Sequence, residues 1–261
     1  MRELAERAYF ALCLGLGRLL RGARYSQARI VSEGNELAVR KHRTWYAPIL
    51  VSSGRQLVRL LAAGIQVLPQ RAWVERERLV YQRLYGTPVR VDADGALILP
   101  RLPGNTLAAV LEEPATADSA RHRAIELAVL ALADLHARDF THADAMAENV
   151  MVDLDAEIAR WFDFETVHDP SRSMTWRRAD DVRALLATCL VRVAPDKLAD
   201  TLERVLDAYG DDTVVPLLAK SYSSILRRPL PFHLGQAPLP FERFRKIGSL
   251  LNAARSAGDR P

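Results

Sequence analysis

Residues 135–165, LHARDFTHADAMAENVMVDLDAEIARWFDFE, gather side chains that could handle a metal ion and a proton together. His142 and Asp144 come first, then Asn149, then Asp163 and Glu165. Between Asn149 and Asp163 lie two short apolar runs, VMV and IARWF, split by the polar stretch DLDAE. That pattern predicts a β-hairpin, and a hairpin brings its two ends together. Asn149 and Asp163 should therefore be neighbours, with Asp144 close by. An amide oxygen beside carboxylates forms a hard-ligand cluster suited to Mg²⁺.

The set H-x-D-x₄-N, hairpin, D-F-E resembles the catalytic loop and metal-binding turn of the protein-kinase-like superfamily, where H-R-D-x₄-N is followed by D-F-G. Ala143 replaces the arginine and Glu165 the glycine. Bacterial kinase-like phosphotransferases acting on lipopolysaccharide-core sugars or aminoglycosides resemble this version more closely. The resemblance covers roughly residues 27–190 and implies an α+β, two-lobed protein-kinase-like fold. Its expected divisions are an N-terminal amphipathic helix (1–26), a small antiparallel-sheet lobe with one helix (27–99) and a mainly helical lobe (100–261).

The elements that must hold these residues are legible upstream. Residues 27–61 read as strands, ARIV, ELAVRKH, APILV and QLVRLL, punctuated by SEGN and SSGR. AWVERERLVYQRLYG then reads as a helix with Trp73, Val80, Tyr81 and Leu84 on one face. Glu77 shares that face, where a carboxylate is costly unless paired. The resemblance aligns QLVRLL with the kinase strand V-A-I-K, so Arg59 would grip phosphate and pair with Glu77. Lys41 in AVRKHR is the competing candidate. LILPRLPGNTLAAVL resembles the interlobe hinge, with Leu99 to Leu102 facing an adenine edge and Thr106 or Asn105 capping the next helix. RHRAIELAVLALADLHARD and WRRADDVRALLATCLVRV read as helices. The resemblance makes Asp181 a brace beneath the catalytic loop; two carboxylates at a helix start are equally an ordinary complement to the helix dipole.

The resemblance implies ATP and Mg²⁺ as cofactors. Asp144 would orient and deprotonate an acceptor hydroxyl, Asn149 and Asp163 would bind Mg²⁺, and Glu165 would supply a further ligand. Arg59 and Glu77, with Leu99 and Leu102, would hold the nucleotide, and His142 would brace the loop. The acceptor is expected to be a hydroxyl-bearing small molecule or a glycolipid. A regulated protein kinase is disfavoured, because residues 166–175 leave little room for an activation loop. Two other readings stay open. An inactive scaffold of the same fold follows from the missing lysine in QLVRLL and the missing glycine-rich lid. An unrelated helical protein with accidental motifs is the third.

Composition is that of an ordinary globular chain, 49% apolar and 26% charged, which excludes disorder. The net charge of +4 suits an anionic small partner but is too mild to argue for nucleic acid. Cys13 and Cys189 lack metal-ligand spacing and read as apolar residues of a reducing compartment, so a cytoplasmic setting is expected. The apolar run AYFALCLGLG is too short to span a bilayer. It reads as an amphipathic helix, either packed on the first lobe or touching the inner membrane through Tyr9, Phe10, Leu12 and Leu14.

Overall fold

The computed structural model describes residues 2–22, 26–34, 36–45, 47, 64–223 and 239–258. Arg59, QLVRLL, most of APILV and His233 lie outside the described residues. The chain is α+β.

Strands β1 (Ser26–Glu33) and β2 (Glu36–Arg43) form an antiparallel hairpin in register from Ser26↔Arg43 to Glu33↔Glu36. Only two residues join them, and Gly34 takes the positive φ of 62° that such a tight turn demands. After β3 (Ile65–Val67), helix α2 (Gln70–Tyr85) buries Trp73, Glu77, Val80 and Tyr81 along one stripe. It stops at Gly86, a left-handed residue whose N–H closes the last turn on Gln82 O. Strands β4 (Arg90–Val91) and β5 (Leu97–Pro100) complete a four-stranded sheet of order β1-β2-β5-β4. Leu97 and Leu99 of its central strand β5 share one apolar core with Trp73, Val80 and Tyr81 of α2.

The second half of the chain is mainly helical. Strand β6 (Asn105–Thr106) leads into α3 (Leu107–Glu112), and Thr106 Oγ1 caps that helix by accepting from Ala109 N. Gly104 precedes it with φ +87°, and a Cβ there would sit 2.1 Å from Val152 O, so no other residue fits. Helix α4 (Asp118–Ala137) leads to the short 3₁₀ turn Ala147–Asn149 and the hairpin of β7 (Val150–Asp153) and β8 (Ile158–Trp161). The hairpin that the apolar runs predict forms in the register Val150↔Trp161 to Asp153↔Ile158. Strand β9 (Thr166–His168) then pairs antiparallel with β3, Ile65 opposite His168. Helix α5 (Met174–Leu190) is buried on every side from Ala179 onward, the mark of a central core helix. Helices α6 (Leu198–Tyr209) and α7 (Val215–Ser223) pack against it, and α8 (Phe241–Gly258) packs on α7 and α6.

Helix α1 (Arg2–Gly22) corrects an expectation. Its described side chains dock it on α8. The Phe10 ring lies 5.5 Å from Phe241 and 5.7 Å from Phe244, and Arg7 pairs with Glu242. Phe10 is therefore committed to the core and cannot also enter a lipid surface, whereas Leu4 and Leu12 are exposed.

Candidate functional site

Lys41, on β2, is the hub of a buried ionic cluster. Its ammonium lies 3.2 Å from Glu77 Oε1, 2.5 Å from Asp163 Oδ1 and 2.9 Å from Glu165 Oε1. It also faces the Trp73 ring at 5.1 Å, and the Trp73 indole N–H donates to Glu77 at 3.2 Å. Burial works against the charge on Lys41, but Asp163, Glu77 and Glu165 outweigh it and hold the pKa well above its ordinary value. Among the described residues, the cation that answers the buried Glu77 is thus Lys41. Lys41 ends the run AVRK on β2, where two apolar residues precede a pair of basic ones.

Glu165 is turned inward. Ser26 Oγ donates to it and Arg43 Nη2 approaches to 3.9 Å. Burial raises its pKa and the nearby Asp163 adds to this, against the pull of Lys41 and Ser26. Among the described residues, three carboxylates thus surround this ammonium, with the Arg43 guanidinium further off.

The loop opposite is built around Asp181. This fully buried carboxylate accepts the backbone N–H of His142 at 2.8 Å and of Ala143 at 2.7 Å. His136 Nε2 donates to it at 3.0 Å while the Tyr209 hydroxyl satisfies Nδ1 at 2.7 Å. Burial pushes the Asp181 carboxyl up, but His168, His136 and His142 together hold it well below the usual carboxylate range. Asp181 therefore serves as a brace, and its position in the second turn of α5 follows from Ser173 capping that helix.

Asn149 stands at the mouth of the hairpin. Its side-chain N–H donates to Asp144 O at 2.8 Å and to Asp144 Oδ2 at 2.9 Å, which fixes the Asp144 carboxylate. Its backbone O accepts from Phe162 N at 3.0 Å, so Asn149 and Asp163 sit at adjoining ends of the hairpin. His142 Nε2 donates to Phe162 O at 2.8 Å, and its ring packs on Phe164 at 4.6 Å. Burial lowers its pKa, against the pull of Asp181 and Asp144. Ala143 and Asp163 both hold positive φ, 65° and 69°, an uncommon conformation for non-glycine residues that clusters at functional sites.

A cleft of about 550 Å³ opens beside this cluster, a size suited to a small-molecule ligand. Ala28, Ile30 and Val39 of the hairpin form one wall, Met151 and Phe162 the other, and Leu99 and Leu102 line it as well. Lys41 and Asp163 reach it too. A larger hollow of about 680 Å³ lies against Glu33, Leu37 and Arg90 and touches none of the ionic cluster.

The donor chemistry at the cleft suits a hard cation in part. Asp163, which lines the cleft, and Asn149, at the adjoining hairpin end, offer oxygen ligands of the type Mg²⁺ takes. Glu165 is committed to Lys41 and Ser26 instead. Among the described residues, no group of three or more His, Cys, Asp or Glu side chains converges as a ready cage. Such a cage is not required of Mg²⁺, which keeps several waters and takes one or two carboxylates together with substrate phosphates.

Sequence reasoning missed Ser26 and the β3–β9 pairing. No family model and no curated protein sequence matches this chain. Among the described residues, no helix is long and apolar enough to cross a membrane.

Proposed function

We propose that this protein is an ATP- and Mg²⁺-dependent phosphotransferase with a two-lobed, protein-kinase-like architecture. The observation that carries the reading is Lys41, held by Glu77 and Asp163 at the wall of the cleft, with the fixed Asp144–Asn149 pair at the adjoining end of the β7–β8 hairpin, next to Asp163. Phosphoryl transfer needs positioning and charge neutralisation more than covalent chemistry. Lys41 grips the nucleotide phosphates. Leu99 and Leu102 contact the base. Asp144, aligned by Asn149, accepts the proton of the acceptor hydroxyl. Asp181 and His142 keep the loop in register. Asn149 and Asp163 hold Mg²⁺, which when bound neutralises charge on the phosphates. The acceptor class is a hydroxyl-bearing small molecule or glycolipid, and a cytoplasmic setting accords with it.

One feature favours the inactive-scaffold reading. The β1–β2 turn is only two residues long and Gly34 is the one glycine in SEGN, so it cannot form a broad backbone cradle for phosphate.

Thermal unfolding with ATP, with and without Mg²⁺, tests the choice. A ligand present at about 100 times its Kd adds about 2.7 kcal/mol to the folded state. For a chain of this size that raises Tm by roughly 5–10 °C. The rise should require Mg²⁺ and vanish in Asp163→Ala. No rise at millimolar ATP would end the phosphotransferase reading in favour of the scaffold.

A further inference from the structure

Glu165 stands where the resemblance has glycine, and its contacts are those of an anchor. Its backbone carbonyl accepts from Leu68 N at 3.0 Å, just ahead of α2. Its carboxylate accepts from Ser26 Oγ at the start of β1 and meets Lys41 on β2 at 2.9 Å. One residue thus ties the D-F-E turn to both strands of the hairpin and to the approach of the helix that carries Glu77. The cleft is lined by Ser26, Lys41 and Asp163 but not by Glu165, so its carboxylate is directed at the protein.

We propose that Glu165 is a positioning residue for Lys41 and not a cation ligand. It anchors the β1–β2 hairpin on the D-F-E turn through Ser26. It also keeps a counter-charge on Lys41 when Asp163 turns to a cation. The second role rests on the phosphotransferase reading. The physical reason is a change of partners. In the structure Lys41 is shared by Glu77, Asp163 and Glu165. A cation held by Asp163 competes directly with the ammonium, the shortest of the three contacts. With Glu165 present, two carboxylates from separate elements still hold Lys41 at the wall. With glycine there, Glu77 alone would remain.

Hydrogen exchange on the full chain, kept free of metal and nucleotide by a chelator, tests the anchor. Wild type is compared with Ser26→Ala, Glu165→Gln and Glu165→Ala. Glu165→Gln keeps an oxygen for Ser26 but loses the charge, and Ser26→Ala loses only the hydroxyl. Loss of a hydrogen bond to a charged group should speed exchange of the amides of residues 26–33 roughly tenfold in Ser26→Ala and Glu165→Ala. The double variant should go no faster than Glu165→Ala. Amides of residues 65–68 serve as the internal reference, because the backbone bond to Leu68 survives every substitution.

Mg²⁺-ATP binding, read from the thermal shift, tests the counter-charge. Glu165→Gln should weaken it about tenfold, the equivalent of one ordinary charged contact. Unchanged exchange in both Ser26→Ala and Glu165→Ala would overturn the anchor. A Glu165→Gln effect on the hairpin that arises only when Mg²⁺ is added would overturn the assignment in favour of a cation ligand. A wild type without any Mg²⁺-ATP shift would remove the counter-charge role together with the phosphotransferase reading, while the exchange result would still decide the anchor.

Discussion

Replacing Asp181 by asparagine removes the charge beneath the His142–Asn149 loop and almost nothing else. The two oxygens of Asp181 divide three donors between them: His142 N and His136 Nε2 on Oδ2, and Ala143 N on Oδ1. Asparagine keeps one acceptor oxygen and turns an amide N–H₂ toward donors at the other position. At least one backbone N–H is then buried without a partner, and the remaining bonds lose their charged acceptor. Hydrogen bonds to charged groups contribute about 1.5–3 kcal/mol each, so a loss of about 3 kcal/mol is expected. That corresponds to a fall in Tm of roughly 6–12 °C for a chain of this size. Total stability is typically about 5–15 kcal/mol, so the variant still folds. Urea unfolding followed by circular dichroism measures the difference. Its pH dependence has a definite sign. The folded-state pKa of Asp181 lies below its unfolded value, so its contribution is complete above about pH 4, near the ordinary carboxylate pKa. It is lost as pH falls from there toward the folded pKa. The gap between wild type and Asp181→Asn should be full at pH 7 and narrow below pH 4. A gap under about 0.5 kcal/mol at pH 7, the scatter of ordinary surface substitutions, would refute the brace. So would a gap that stays constant on acidification.

Lys41→Met leaves Glu77 buried beside Trp73 without its cation, and breaking a buried pair costs about 3–5 kcal/mol. Urea unfolding should register that loss, and any nucleotide-dependent thermal shift should disappear with it. Phe10→Ala removes the ring wedged between Phe241 and Phe244, at a cost of up to about 3–5 kcal/mol, capped by the free energy of undocking α1. Exchange should accelerate in residues 2–22 and leave residues 135–165 unchanged. Asp139 holds φ 60° just past the end of α4 with an exposed side chain, so Asp139→Gly should stabilise the protein by about 0.5–1 kcal/mol in the same urea assay.

The parts of the fold that could be read from the sequence are those governed by short-range pattern. The polar DLDAE between VMV and IARWF marks the β7–β8 hairpin, though Asp153 joins the strand and pairs with Ile158. The stripe through Trp73, Val80 and Tyr81 marks α2 and shows Glu77 to be misplaced without a partner. The identity of that partner was harder. AVRK and QLVRLL both place a basic residue after an apolar run, and the choice depends on which strand crosses α2, a long-range fact. Ser26 carries no pattern at all, because a hydroxyl at the start of a strand is ordinary until a carboxylate from residue 165 comes up against it. The β3–β9 pairing joins three-residue strands far apart in the chain, too short for any periodicity. The seat of α1 was invisible for a related reason, since an amphipathic helix specifies an apolar face but not which surface will cover it.

The contacts Arg7–Glu242, Phe10–Phe241 and Glu3–Arg245 order the first and last helices antiparallel, so residues 2 and 258 point to the same side of the molecule. Past Arg245, α8 runs on for about 20 Å. A linker long enough to span that distance would join the end of α8 to the start of α1, and new ends could be opened at the exposed hairpin tip, residues 155–157. In such a circular permutant Asn149 and Asp163 would lie close to opposite termini. They would meet only because strands β7 and β8 pair, which would reveal whether the hairpin connects these two residues or merely accompanies them.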